Sequence, residues 1–226
     1  FDVALHLGTL VAVAGALLGD WLKMIGGAFE SLRTEGNPFA SEDGRRLGFL
    51  AIASIPGGIF GLLLNDLAES AFRNPLLVAL TMTLMGLVLW FSDSKSSNTR
   101  GIEAWTLRDA LIMGFAQALA LVPGVSRSGA TISAARFLGY ERNVAARLSF
   151  LMALPVTLGA VILKVPSLLR GGLDAVLLAG IVTAAVVGVL SIRVRFAWVR
   201  TRSYLPFVIY RFAFAALIVI VWLARN

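Results

Sequence analysis

The chain has 226 residues, 58% of them hydrophobic and only 15% charged, with a net charge of +7 and no cysteine. Soluble domains carry about a quarter charged residues, so this composition excludes an ordinary soluble fold and indicates an all-α polytopic membrane protein. The basic residues sit in short loops between apolar runs, where they set membrane orientation and give no nucleic acid site; without cysteine there is no disulfide, thiolate nucleophile or cysteine metal site.

In chain order, Phe1 to Gly19 is apolar from the outset and long enough to span, without the basic start of a signal peptide; the chain reads as lacking an upstream part. Within that run Gly8 and Gly15 suit close helix packing, and His6 reads as a packed or interhelical residue. Trp21, Leu22, Ile25, Phe29 and Leu32 recur at helical spacing and predict an interfacial amphipathic helix over 21–33. Asn37-Pro38 ends it. The next span is Leu47–Leu64, with Pro56-Gly57-Gly58 expected to kink or unwind it; after a loop from Asn65 to Pro75, Leu76–Phe91 is the third. The polar stretch Ser92–Thr106 is the boundary between two halves, 1–98 and 99–226.

Leu107–Tyr140 comprises two apolar segments, each too short to span, and predicts a re-entrant hairpin at 107–140, followed by spans near Val144–Leu163, Leu173–Ser191 and Leu205–Leu223. That makes about six transmembrane helices plus one hairpin. An odd number of spans inverts the second unit, so a first hairpin upstream of Phe1 would complete two inverted repeats, with the first half truncated as the chain stands. With the hairpin returning to its side of entry, one face holds fourteen Lys and Arg (among them Arg33, Lys95, Arg100, Arg136, Arg142 and Arg200). The other face holds four, Arg73, Lys164, Arg170 and Arg225, which places the loop around Lys95 in the cytoplasm and the C-terminus outside.

The hairpin turn carries the chemistry. Arg127 lies at membrane depth, where a guanidinium persists only with a partner. Ser126, Ser128 and Thr131 offer hydroxyls, Gly124 and Gly129 let a ligand approach the backbone, and Pro123 breaks the incoming helix. Helical pattern resumes after Gly129, so the helix start and its positive dipole end face the same place. The alternative is that small residues merely allow close packing while Arg127 pairs with a structural carboxylate. The nearest candidates for such a pair, Asp2, Asp66, Glu69, Asp93, Asp109 and Asp174, all lie in loops or at span ends, which favours an anion site, for phosphate. Arg211, six residues into the last span, either snorkels back to the basic face or reaches inward with Tyr210, to the same anion or to a carboxylate that this chain lacks.

Five strings carry a resemblance: Leu5-His6-Leu7-Gly8-Thr9; Ala116-Gln117-Ala118-Leu119-Ala120; Pro123-Gly124-Val125-Ser126-Arg127-Ser128-Gly129-Ala130-Thr131-Ile132; Ser149-Phe150-Leu151; and Pro206 through Tyr210-Arg211. On these the chain resembles the undecaprenyl pyrophosphate phosphatase, or bacitracin-resistance, family of bacteria. The resemblance implies a multi-pass protein of the plasma (inner) membrane, among membrane lipids, whose substrate is a polyprenyl diphosphate lipid. It implies hydrolysis to undecaprenyl phosphate, recycling the carrier for peptidoglycan synthesis, with a divalent cation such as Mg2+. Family members carry an upstream segment with two glutamates, a serine-rich turn and a histidine, and the metal ligands are expected there. In this chain Ser126 and Arg127 are the catalytic candidates, Ser126, Arg127, Ser128, Gly129 and Thr131 the phosphate-binding set, and Gln117 and Arg211 the supporting residues. A transporter or flippase of a polyprenyl phosphate lipid is the alternative, because inverted repeats with midplane anion sites are equally a transporter design.

Overall fold

The computed structural model describes residues 2–63, 74–170, 175–199 and 201–225. The expectations placed on Asp66, Glu69, Arg73, Asp174 and Arg200, and on most of the loop from Asn65 to Pro75, lie outside the described residues. Those residues are almost wholly helical and contain no strand; an isolated bridge joins Arg100 and Tyr140. The helices are α1 Asp2–Ala16, α2 Leu18–Glu35, α3 Glu42–Leu63, α4 Pro75–Lys95, α5 Leu107–Ala118, α6 Arg127–Phe137, α7 Arg142–Arg170, α8 Ala175–Val199 and α9 Leu205–Arg225. Among them α3, α4, the first 21 residues of α7, α8 and α9 are long and apolar enough to cross a membrane, and the α1–α2 pair makes a sixth if it is one broken span.

The first apolar run departs from its expected form. It does not continue straight to Gly19: Leu17 leaves helical backbone and α2 sets off at 70° to α1. At 15 residues α1 covers only about 22 Å, short of a ~30 Å hydrocarbon core. On α2 the expected apolar stripe points away from the protein, with Leu22 61% and Phe29 67% exposed, while Met24, Ala28 and Ser31 are buried. In α3 the Pro56-Gly57-Gly58 element does not unwind the chain, which stays helical from Glu42 to Leu63. Helix α4 runs on to Lys95, past the expected end at Phe91, and buries Ser92 and Asp93.

The chain divides into two compact units. The first comprises 1–51 and 150–198. There α1 lies against α8 at a glycine on each side: a Cβ on Gly8 would strike the Ile181 carbonyl, and one on Gly188 would come 2.7 Å from the Ala12 Cβ. Gly15, expected to do the same, faces open space, and His6 is exposed.

The second unit comprises 52–149 and 199–226 and contains α5 and α6, the two arms of the expected hairpin, packed on each other. In the same unit α4 packs against both α6 and α9. Each arm is capped by its own sequence. Thr106 and Asp109 form a reciprocal capping box at the start of α5. Helix α6 ends at Gly139, φ 85°, where the Gly139 and Tyr140 amides donate back to Arg136 and Ala135 oxygens, the closure only a residue tolerant of left-handed backbone completes cheaply. The Thr99 and Arg100 amides then donate to Gly139 O, and Glu141 N donates to Arg100 O, stitching the polar loop to the end of the hairpin.

Candidate anion site

After α5 the chain makes one tight turn at Leu119–Leu121, and Val122 is extended at φ −75°, ψ 120°, as the residue before a proline must be. Pro123 and Gly124 turn the chain, Gly124 at φ 87°, and Ser126 caps α6 at φ 67°, ψ 118°. A non-glycine residue at positive φ is strained, and such strain persists only where surrounding contacts impose it. The helix begins at Arg127, three residues earlier than expected, so Arg127, Ser128 and Gly129 form its first turn, on the side where the first amides and the positive dipole end open. Ser126 Oγ accepts the Gly129 amide at 3.3 Å and lies 3.5 Å from Ser128 Oγ. Ser126, Arg127 and Ser128 are half-buried and share this turn, and Gly129 is buried beneath it.

Other predicted site residues sit differently. Thr131 is fully buried, its hydroxyl 2.6 Å from Ser149 Oγ and 2.9 Å from Arg127 O, so it fastens α6 to the start of α7 from behind the turn and does not open towards it. Arg211 does not snorkel: it is 8% exposed, and Nη2 donates to Gly124 O at 2.6 Å and Val125 O at 2.8 Å. Tyr210, which the inward alternative put beside it, is 61% exposed. Gln117 is buried on α5, and neither its amide oxygen nor its nitrogen has a hydrogen-bond partner among the described residues. An unsatisfied buried amide costs about 1–3 kcal/mol, so it marks a place where a ligand or water belongs.

Two of the carboxylates considered for Arg127 are held by other arginines. Asp93 accepts from Arg136 Nε at 3.0 Å and Arg142 Nε at 2.8 Å. Asp109 accepts from Arg100 Nη2 at 2.7 Å, Tyr140 Oη at 2.6 Å and Thr106 Oγ1 at 2.8 Å. The hydrogen bond to Asp109 raises the Arg100 pKa, and burial together with the bond to Asp109 pushes the Tyr140 phenol well above its ordinary value, so both keep their protons. No group of three His, Cys, Asp or Glu among the described residues could hold a metal ion. What the residues of the turn offer is hydroxyls, a guanidinium and a helix start, the chemistry of anion binding.

Sequence reasoning missed Thr81, whose Oγ1 lies 2.6 Å from Pro123 O. A threonine inside an apolar helix ordinarily bonds its own helix four residues back, so nothing in the local sequence singles it out.

The family model for Bacitracin resistance protein BacA matches residues 1–217. The chain is 48% identical over 226 residues to the undecaprenyl-diphosphatase of Moorella thermoacetica, covering all of this chain and 84% of that one. It is 48% identical over 212 residues to the undecaprenyl-diphosphatase of Gemmatimonas aurantiaca, covering 93% of this chain and 79% of the other. It is 37% identical over 226 residues to that of Pelotomaculum thermopropionicum, covering all of this chain and 83% of the relative.

Proposed function

Because the chain belongs to the bacitracin resistance protein BacA family, we propose that it hydrolyses undecaprenyl diphosphate to undecaprenyl phosphate and inorganic phosphate. A water oxygen bonds to the terminal phosphorus, the P–O–P bond breaks, and the lipid monophosphate leaves with the electron pair. The observation that carries the assignment to particular residues is the Ser126–Gly129 turn at the start of α6, with Arg127 at its head. In phosphoryl transfer the protein mainly positions groups and neutralises charge. Arg127, the Ser126 and Ser128 hydroxyls and the first amides of α6 therefore hold the terminal phosphate as its charge redistributes, while Thr131 with Ser149 steadies the helix behind them. A divalent cation, Mg2+, would be held by groups outside the described residues, and the part assigned to this chain is binding and charge stabilisation.

The purified full-length protein in detergent should convert undecaprenyl diphosphate into monophosphate and phosphate in equal amounts; lipid diphosphate left intact would refute the reading. Gln117 gives a second test. Its unpaired amide fits a substrate or water contact, so Gln117→Leu should hold or raise the melting temperature while lowering kcat about tenfold, the equivalent of one hydrogen bond in the transition state. Unchanged turnover would exclude Gln117 from the site.

The same reading places the protein in the bacterial inner membrane, with α5–α6 as a re-entrant hairpin, the apolar face of α2 in the lipid interface, and the halves 1–98 and 99–226 as inverted repeats. Cysteines at the exposed positions Ser97 and Ala224 report the orientation. An impermeant thiol reagent on spheroplasts should label position 224 and spare 97; the reverse pattern would invert the topology.

A further inference from the structure

The carbonyl oxygens of the turn pose an electrostatic difficulty for an anion site, because a carbonyl facing a phosphate repels it. Three in succession are drawn aside. Pro123 O lies 2.6 Å from Thr81 Oγ1 of α4, and Gly124 O and Val125 O accept from Arg211 Nη2 of α9. Thr81 has one hydroxyl hydrogen and two further acceptors, Leu77 O at 2.9 Å and Val78 O at 3.0 Å. At 2.6 Å two oxygens without a hydrogen between them would repel, so the hydrogen belongs to the Pro123 contact. Arg211 Nε also reaches Met82 O at 3.4 Å, tying the same two helices together. The turn is pressed onto α4: a Cβ on Gly124 would overlap Thr81 Oγ1 and lie 2.6 Å from Val78 O.

We propose that Thr81 and Arg211 are positioning residues, a clamp from two spans that holds the 123–126 turn with its carbonyls behind and its amide face and Arg127 towards the phosphate. The clamp supplies the constraint that the left-handed Ser126 needs. It also adds charge where it is useful. Among the described residues the hydrogen bonds of Arg211 go to backbone carbonyls, which do not neutralise its charge, and Nη1 lies only 3.2 Å from where a Cβ on Gly129 would sit.

The proposal rests on the phosphate-binding reading of the turn, and the test separates the two. Phosphate release by the full-length protein is measured for Thr81→Val, Thr81→Ser, Arg211→Lys, Thr81→Val with Arg211→Lys, and Arg127→Lys, each per amount of monodisperse protein. Thr81→Val should lose about tenfold in kcat with KM within about twofold, and Thr81→Ser, which keeps the hydroxyl, should recover most of it. Should Thr81→Val not give monodisperse protein, Thr81→Ala takes its place, alanine being the residue a helix accepts most readily. Because both residues hold one turn, the double variant should lose less than the product of the single losses. Wild-type kcat in Thr81→Val, or losses that multiply, with Arg127→Lys inactive, overturns the clamp and leaves the phosphate reading standing. Full activity in Arg127→Lys overturns the reading itself and the clamp with it.

Discussion

Arg127→Lys should lower kcat for phosphate release by about 10²–10³-fold, the loss that follows removal of one preorganised donor from a transition-state charge site. The substitution keeps the positive charge, so any effect reports geometry. A guanidinium is a planar fork that can donate two parallel hydrogen bonds to one phosphate, whereas an ammonium is a compact, strongly hydrated charge on a flexible stem. Arg127 is the first residue of α6, next to the Ser126 cap and the Ser128 hydroxyl; on the proposed reading its fork and the helix start address the same phosphate oxygens. Lysine at that point would spend part of its time elsewhere, and the loss should fall on kcat more than on KM, since the polyprenyl tail carries much of the ground-state binding. Near-normal turnover, with matched amounts of folded protein, would remove Arg127 from the site.

Asp93→Asn should produce the largest fall in stability. Asp93 is 7% exposed and accepts from two arginines and from the Tyr204 amide at 3.2 Å. Arg136 is fully buried and also donates to Asn98 Oδ1, Tyr140 O and Asp93 O, so it cannot turn to water when the carboxylate is neutralised. Leaving one member of a buried pair without its countercharge costs about 3–5 kcal/mol. For a chain of this size that is a drop in melting temperature on the order of 10 °C. Arg136 lies nine residues along α6 from Arg127, about 14 Å, so kcat per folded molecule at low temperature should change far less than the melting temperature does. A shift of less than about 2 °C would show that asparagine holds both guanidiniums as well as aspartate does.

The hub around Asp93 shows where sequence reading stopped. Arg100, Arg136 and Arg142 entered as loop charges that orient the chain, yet each is tied to a carboxylate in the structure. Asp93 and Asp109 entered as candidate partners of Arg127 and turn out to be occupied by these others. Nothing local could decide this, because the Arg136 pair spans 43 residues of sequence and the Arg142 pair 49.

By itself the sequence determined what depends on a residue and its near neighbours. Apart from the first, the apolar runs fixed which segments are helices fit for a membrane, Pro123 fixed the break between α5 and α6, and Ser126 to Gly129 fixed a capped helix start with a cation at its head, because hydropathy, proline geometry and capping act within a few residues. The tertiary structure alone decided which face each helix presents and which distant group it meets: the outward apolar stripe of α2, the 70° bend after Ala16, Thr131 turned onto Ser149, Arg211 turned inward, and Thr81 set beneath Pro123. The contacts of Thr81 and Arg211 with the turn join residues 42 to 87 positions apart, and they depend on how helices rotate and cross. That is settled by packing of whole faces, which no short stretch of sequence encodes.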